Sequence, residues 1–161
     1  MKKILGILVI GLLLCTNVFA KSGKGELKLS KYVMEEFLHY LHGGKNLDPK
    51  TGGSTDNKNQ KANPLLFIVA EDSSGYQYWY CNWSSCSSNN EEYVGKLKCE
   101  KHSNGTPCWT LARGIKIVWK NNKNPKGINL KKYLKYGRMH VAKIIQEAGY
   151  YDGDITQLKG N

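Results

Sequence analysis

Apolar positions along this chain come in separate groups, and each group has its own spacing. Ile4 to Leu14 is an 11-residue apolar run broken only by Gly6 and Gly11. Met34, Phe37, Leu38 and Leu41 recur at helical spacing, so the stretch Leu27 to Leu41 predicts a helix with one stripe toward a core. Ser30 is placed to cap that helix, Leu29 and Met34 to staple its entry, and Gly43-Gly44 to end it. Residues 43–64 carry almost no large apolar side chains. They read as a flexible loop that buries too little surface to offset its ordering entropy.

Beyond that loop the period changes. Leu65 to Ala70 is wholly apolar, Tyr76 to Cys81 is rich in aromatics, and Glu71 to Gly75 between them predicts an antiparallel hairpin. Ser88 to Glu91 has the S-x-x-E form of a capping box. It opens a short helix expected to end at Cys99, with Tyr93, Val94 and Leu97 as its inner face. Ser103 to Pro107 is a turn, and Trp109 to Trp119 is strand-forming. Arg113-Gly114 either splits that stretch into a tight hairpin or marks a bulge. Leu130, Leu134, Gly137, Val141, Ile144 and Ala148 advance in alternating steps of four and three. They predict a last helix capped by Asn129 and closed at Gly149.

The expected fold is α+β, a small antiparallel β-sheet with flanking helices and two disulfides. Its parts are a signal peptide at 1–20, an N-terminal helix at 21–42, a flexible loop at 43–64, a disulfide-clamped core at 65–120, and a basic C-terminal helix and tail at 121–161. No internal repeat is visible.

Composition adds a location. The 161 residues include 24 Lys+Arg and 13 Asp+Glu, with 40% hydrophobic residues, which excludes both wholesale disorder and a large multidomain enzyme. Met1-Lys2-Lys3 precedes the first apolar run and Val18-Phe19-Ala20 follows it, the anatomy of a secretory signal peptide cleaved after Ala20. The run is shorter than the roughly 20 residues of a spanning helix, and bulky Leu14 before Cys15 does not suit lipid attachment. The protein is therefore expected to be periplasmic or secreted, with no integral membrane segment after cleavage. Loss of Lys2 and Lys3 lowers the formal charge from +11 to +9.

Four cysteines then remain: Cys81, Cys86, Cys99 and Cys108. In an exported chain an even count reads as two disulfides, and four cysteines allow three pairings. Cys81–Cys86 and Cys99–Cys108 are favoured because each pair brackets a short polar stretch. The C-x4-C and C-x8-C spacings are poor for zinc, and nothing near His39 and His42 in sequence completes a ligand set. No metal or cofactor is expected.

The charge is concentrated. Residues 101–146 hold no Asp or Glu and eleven Lys or Arg, so a near-neutral body carries a cationic C-terminal part. On the predicted last helix Lys131, Lys135 and Arg138 share a face at i, i+4 and i+7. Lys120, Lys123, Lys126, Lys131, Lys132, Lys135 and Arg138 form the candidate anion-binding set. Tyr76, Tyr78 and Tyr80 share one strand face and Trp79 takes the other. They are read as core before they are read as a platform for sugars or bases. No G-x-S-x-G, H-E-x-x-H, P-loop or G-x-G-x-x-G is present, and no catalytic residue is assigned. A hydrolase would have to recruit His102 or His140 with a carboxylate and the basic patch.

Two stretches carry resemblances. Tyr76-Gln77-Tyr78-Trp79-Tyr80-Cys81, Cys86, Cys99, Cys108, Leu111-Ala112 and Ile117-Val118-Trp119 follow the pattern of a small uncharacterised secreted disulfide domain family of alphaproteobacteria, which the segment 67–119 resembles. The resemblance implies an α+β disulfide fold and transfers no catalytic residues. Ala148-Gly149-Tyr150-Tyr151-Asp152-Gly153-Asp154-Ile155 is similar to the opening of a peptidoglycan-binding repeat, with Thr156 where that repeat usually has Asp. The expectation from the sequence is an exported, non-enzymatic binding module for an anionic envelope component, whether cell wall, surface polysaccharide or lipid. The alternatives are a small secreted hydrolase of nucleic acid or glycan, and a structural or protein-interaction protein of the envelope.

Overall fold

A computed structural model describes residues 22–43, 63–81 and 88–159. The predicted signal peptide, most of the 43–64 loop and Cys86 lie outside the described residues. Among the described residues three α-helices, α1 (Lys31–Leu41), α2 (Ser88–His102) and α3 (Arg138–Glu147), accompany five strands. The strands are β1 (Asn63–Ala70), β2 (Tyr76–Cys81), β3 (Cys108–Arg113), β4 (Lys116–Ile117) and β5 (Ile128–Asn129). They form one antiparallel sheet in the order β2-β1-β3-β4-β5, and the α+β architecture is that expected from the sequence.

The apolar run of β1 is explained by its central place. Phe67 and Val69 join the larger core with α1 and α3, while Leu66, Ile68 and Ala70 join a smaller one with Cys99 and Cys108. A strand covered on both faces loses the apolar–polar alternation of a half-exposed one. Gly114, at φ 55°, makes the turn between β3 and β4, where Arg113 pairs with Lys116, so the 109–119 stretch is a tight hairpin.

Helix α1 follows its sequence closely. Ser30 Oγ accepts from Val33 N at 3.3 Å, and Val33, Met34, Phe37, Leu38, Tyr40 and Leu41 are buried. The residues before it are extended: Ser22 and Lys24 bridge to Thr110 and Lys120, and Leu27 and Leu29 enter the core. Gly23 lies against the buried Trp119, and a Cβ there would come within 2.1 Å of its ring.

Two expectations change. Helix α2 runs to His102, and Tyr93, Val94 and Leu97 are its exposed residues rather than its inner face. Its packed side carries Glu92, Gly95 and Cys99 instead. A Cβ on Gly95 would sit 2.4 Å from the Trp79 ring, Cys99 is bonded to Cys108, and Glu92 accepts from Thr110 Oγ1 and from Arg113 at 2.5 Å. The single long basic helix is also overturned. Residues 128–129 form β5, Leu134–Tyr136 form a 3-10 turn, and α3 begins only at Arg138. Leu130 N donates to Ile115 O at 3.0 Å and the Leu130 side chain is buried, which pulls the chain onto the sheet. Gly137, at φ 88° and ψ 170°, then redirects it into α3. Asn129 does not cap a helix, since its Oδ1 accepts from Lys131 N at 3.0 Å within a local turn.

Cys99–Cys108 is a disulfide with an S–S distance of 2.08 Å, as expected. Cys81 is also disulfide-bonded, and its expected partner Cys86 is outside the described residues.

Candidate anion-binding surface

The predicted cations are not one helical stripe, because they sit on three different local structures. Lys120, Lys123 and Lys126 lie in a loop pinned by asparagines. Asn121 Nδ2 donates to Ala148 O at 3.0 Å, Asn121 Oδ1 accepts from Asn124 N at 2.6 Å, and Asn124 Nδ2 donates to Tyr150 Oη at 3.1 Å. Tyr150 Oη in turn donates to Trp119 O at 2.6 Å. A loop that reads as simple polar sequence is therefore fixed to the end of α3. Lys123 packs near Gly149 and borders a small cleft with Glu26, Lys28 and Asn122.

Lys131, Lys132 and Lys135 belong to the turn before α3. With Gly127, Ile128, Asn129 and Tyr133, the first two line an open groove of about 630 Å³. Lys132 Nζ lies 4.8 Å from the Tyr133 ring centre and Lys135 Nζ 4.8 Å from that of Tyr136. His140, in the first turn of α3, stands 5.0 Å from Tyr136 and 5.9 Å from Tyr133, centre to centre. Lysines and aromatic rings thus alternate along one short turn. A cation beside a ring face gains quadrupole attraction while remaining open to an anion. The six lysines from Lys120 to Lys135 are exposed, and among the described residues none of them is in an ion pair.

Arg138 departs from this set. It is half-buried, and Nη2 donates to Glu35 O at 3.2 Å, tying α3 to α1. Burial pulls its pKa below the ordinary value against the opposing pull of Glu35 and Glu36. Its role is packing, and the structure does not group it with the exposed lysines.

The sequence reading passed over Tyr133 and Tyr136. The available signal was the repeated dipeptide Lys132-Tyr133 and Lys135-Tyr136, offset by three residues.

The other tyrosines are differently engaged. Tyr76 and Tyr78 stack at 5.9 Å and 6°, each also stacks on Phe67, and Tyr80 stacks on buried Tyr40 at 5.8 Å. Their ring faces are largely used inside the fold. Burial raises the Tyr76 and Tyr78 hydroxyl pKa values, Tyr78 to about 12, with Glu36 adding to both.

The histidines considered for hydrolysis lie on separate helices. His102 ends α2 and His140 opens α3, both are exposed, and among the described residues neither is in an ion pair with a carboxylate. Among the same residues no group of three or more His, Cys, Asp or Glu is placed to hold a metal, and no helix is long and apolar enough to cross a membrane.

Comparison of the chain with family models, with curated proteins and with solved structures gives no match.

Proposed function

We propose that this protein is an exported binding module that holds an anionic envelope polymer at the turn before α3. The observation that carries the reading is the alternation of Lys131, Lys132 and Lys135 with Tyr133 and Tyr136 beside the open groove. Lysines supply attraction to carboxylate, sulfate or phosphate groups, and the exposed Tyr136 ring, with the outer edge of half-buried Tyr133, supplies apolar contact to sugar rings. Lys120, Lys123 and Lys126 extend the field without forming the groove. Export is part of the proposal and rests on the Met1–Ala20 pattern, with the Cys99–Cys108 disulfide in keeping with an oxidising compartment.

Heparin and a carboxylated polysaccharide serve as probes. The chain from Lys21 onward is expected to be retained on both and released by moderate salt, because exposed charges are screened within about 10 Å at 0.1 M ionic strength. Lys131→Gln/Lys132→Gln/Lys135→Gln should elute earlier, and Tyr133→Ala/Tyr136→Ala should weaken polysaccharide retention more than heparin retention. Retention unchanged by the triple variant would overturn the reading.

A further inference from the structure

Helix α2 is turned inside out relative to its sequence. Tyr93, Val94 and Leu97 are 65%, 43% and 51% exposed, while Glu92 on the opposite side is only 2% exposed. At about 100° per residue, Asn90, Tyr93, Val94, Leu97, Lys98 and Lys101 occupy one arc of roughly 140°, and all six are exposed. That arc contains no carboxylate. The acids on its borders turn away: Glu100 Oε1 accepts from Cys108 N at 3.3 Å, and Glu91 Oε2 is buried. The outer surface of α2 thus joins three exposed apolar side chains to Lys98 and Lys101, and its only charges are cationic.

We propose that this arc docks on an anionic lipid bilayer surface. Tyr93, Val94 and Leu97 enter the boundary between headgroups and acyl chains, and Lys98 and Lys101 pair with the lipid phosphates. Exposed apolar side chains interleaved with lysines are suited to reversible interfacial binding, and each lysine adds attraction to anionic headgroups. A stable protein interface takes about 20–30 residues on each side, and this arc has six. The proposal goes beyond the polymer groove, since it uses α2 rather than the turn before α3 and shares no residue with it.

The test is sedimentation of the chain from Lys21 onward with phosphatidylglycerol-containing vesicles and with pure phosphatidylcholine vesicles. Binding is expected to the first and not the second. Tyr93→Gln/Leu97→Gln should lower the partition coefficient at least about tenfold, because the burial of two apolar side chains is lost. Lys98→Gln/Lys101→Gln should lower it too and reduce its salt dependence. Lys131→Gln/Lys132→Gln/Lys135→Gln should retain most vesicle binding while losing heparin retention, which separates failure here from failure of the groove. Thermal unfolding of each variant checks the fold. The proposal is overturned if the protein ignores phosphatidylglycerol vesicles, or if the folded Tyr93/Leu97 variant binds them undiminished. It is also overturned if only the groove variant loses binding, or if the α2 face instead holds a dimer that Tyr93→Gln/Leu97→Gln dissolves on gel filtration.

Discussion

Helices α1 and α2 cover opposite faces of one sheet, and different forces hold them there. Helix α1 is held by apolar packing: Phe37 lies 4.9 Å from Phe67 and 5.9 Å from Tyr40, all three fully buried. Helix α2 is held by a covalent bond, a buried carboxylate and a glycine that admits Trp79. Where burial of large side chains fixes a helix, its period states which side faces inward. Where other interactions fix it, the same period points the wrong way.

The largest effect is expected in α1. Phe37→Ala removes an aromatic side chain from the main core, and such truncations cost about 3–5 kcal/mol. Urea unfolding should show the midpoint falling accordingly. A cost under about 1 kcal/mol would mean that packing does not hold α1.

For α2 the covalent constraint comes first. Cys99 and Cys108 are 9 residues apart, and closing a loop of that size restricts the unfolded chain by about 2–3 kcal/mol. Cys99→Ser/Cys108→Ser should lose that amount, again by urea unfolding, while the α1 side of the sheet stays packed. Glu92→Ala comes next. It removes the carboxylate to which Thr110 and Arg113 donate, and Arg113 is about one-third exposed. Water therefore screens part of the loss, and about 2 kcal/mol is expected rather than the larger cost of breaking a fully buried pair.

These two regions also show what the sequence disclosed and what it did not. The strands β1 and β2, their hairpin, the Ser30 cap and the stripe of α1 were legible because each rests on local chemistry or on an unambiguous period. The Cys99–Cys108 pair was legible from the short polar stretch that the two cysteines bracket. The inner face of α2 was not, because Glu92 is stabilised by Thr110 and Arg113, about 18 and 21 residues further along the chain, which no local pattern records. The last helix failed for a related reason. Leu130 and Leu134 keep the helical step, yet the hydrogen bond from Leu130 N to Ile115 O takes the chain onto the sheet, and Gly137 permits the break. Of the candidate site, the lysines were visible as a charge block. Their partner rings Tyr133 and Tyr136 were not, because a ring becomes part of a cationic surface only once the turn geometry sets it beside an ammonium.

A smaller effect should appear in the pH dependence of α1. Burial holds the pKa of His39 below the ordinary histidine value of 6.5. Glu36 opposes that shift, while Arg138 from α3 and His42 reinforce it. From β2, Tyr80 donates to the His39 carbonyl at 3.4 Å. With the folded pKa depressed, the unfolded chain binds more protons once pH drops below 6.5. Stability should then fall progressively until the folded-state pKa is passed, and it should be unaffected by this group at higher pH. His39→Gln should flatten that slope in urea titrations between pH 7 and 5. Asp72 and Asp154, lowered from 3.8 mainly by hydrogen bonds from Ser74 and Thr156, act in a more acidic window and leave this one clean.

The smallest expected effect is the most discriminating. If α2 were held by its apolar residues, replacing Leu97 and Tyr93 would cost as much as a core truncation. If those residues face outward, Tyr93→Gln/Leu97→Gln should change stability by no more than about 0.5 kcal/mol per site, since Gln has a helix propensity close to that of Leu and neither site is packed. The same double variant is the one expected to lose vesicle binding. A stability change near zero together with a large binding change would separate what holds α2 in place from what its outer face is for. A loss of several kcal/mol would instead show that the apolar period of α2 had named the inner face correctly.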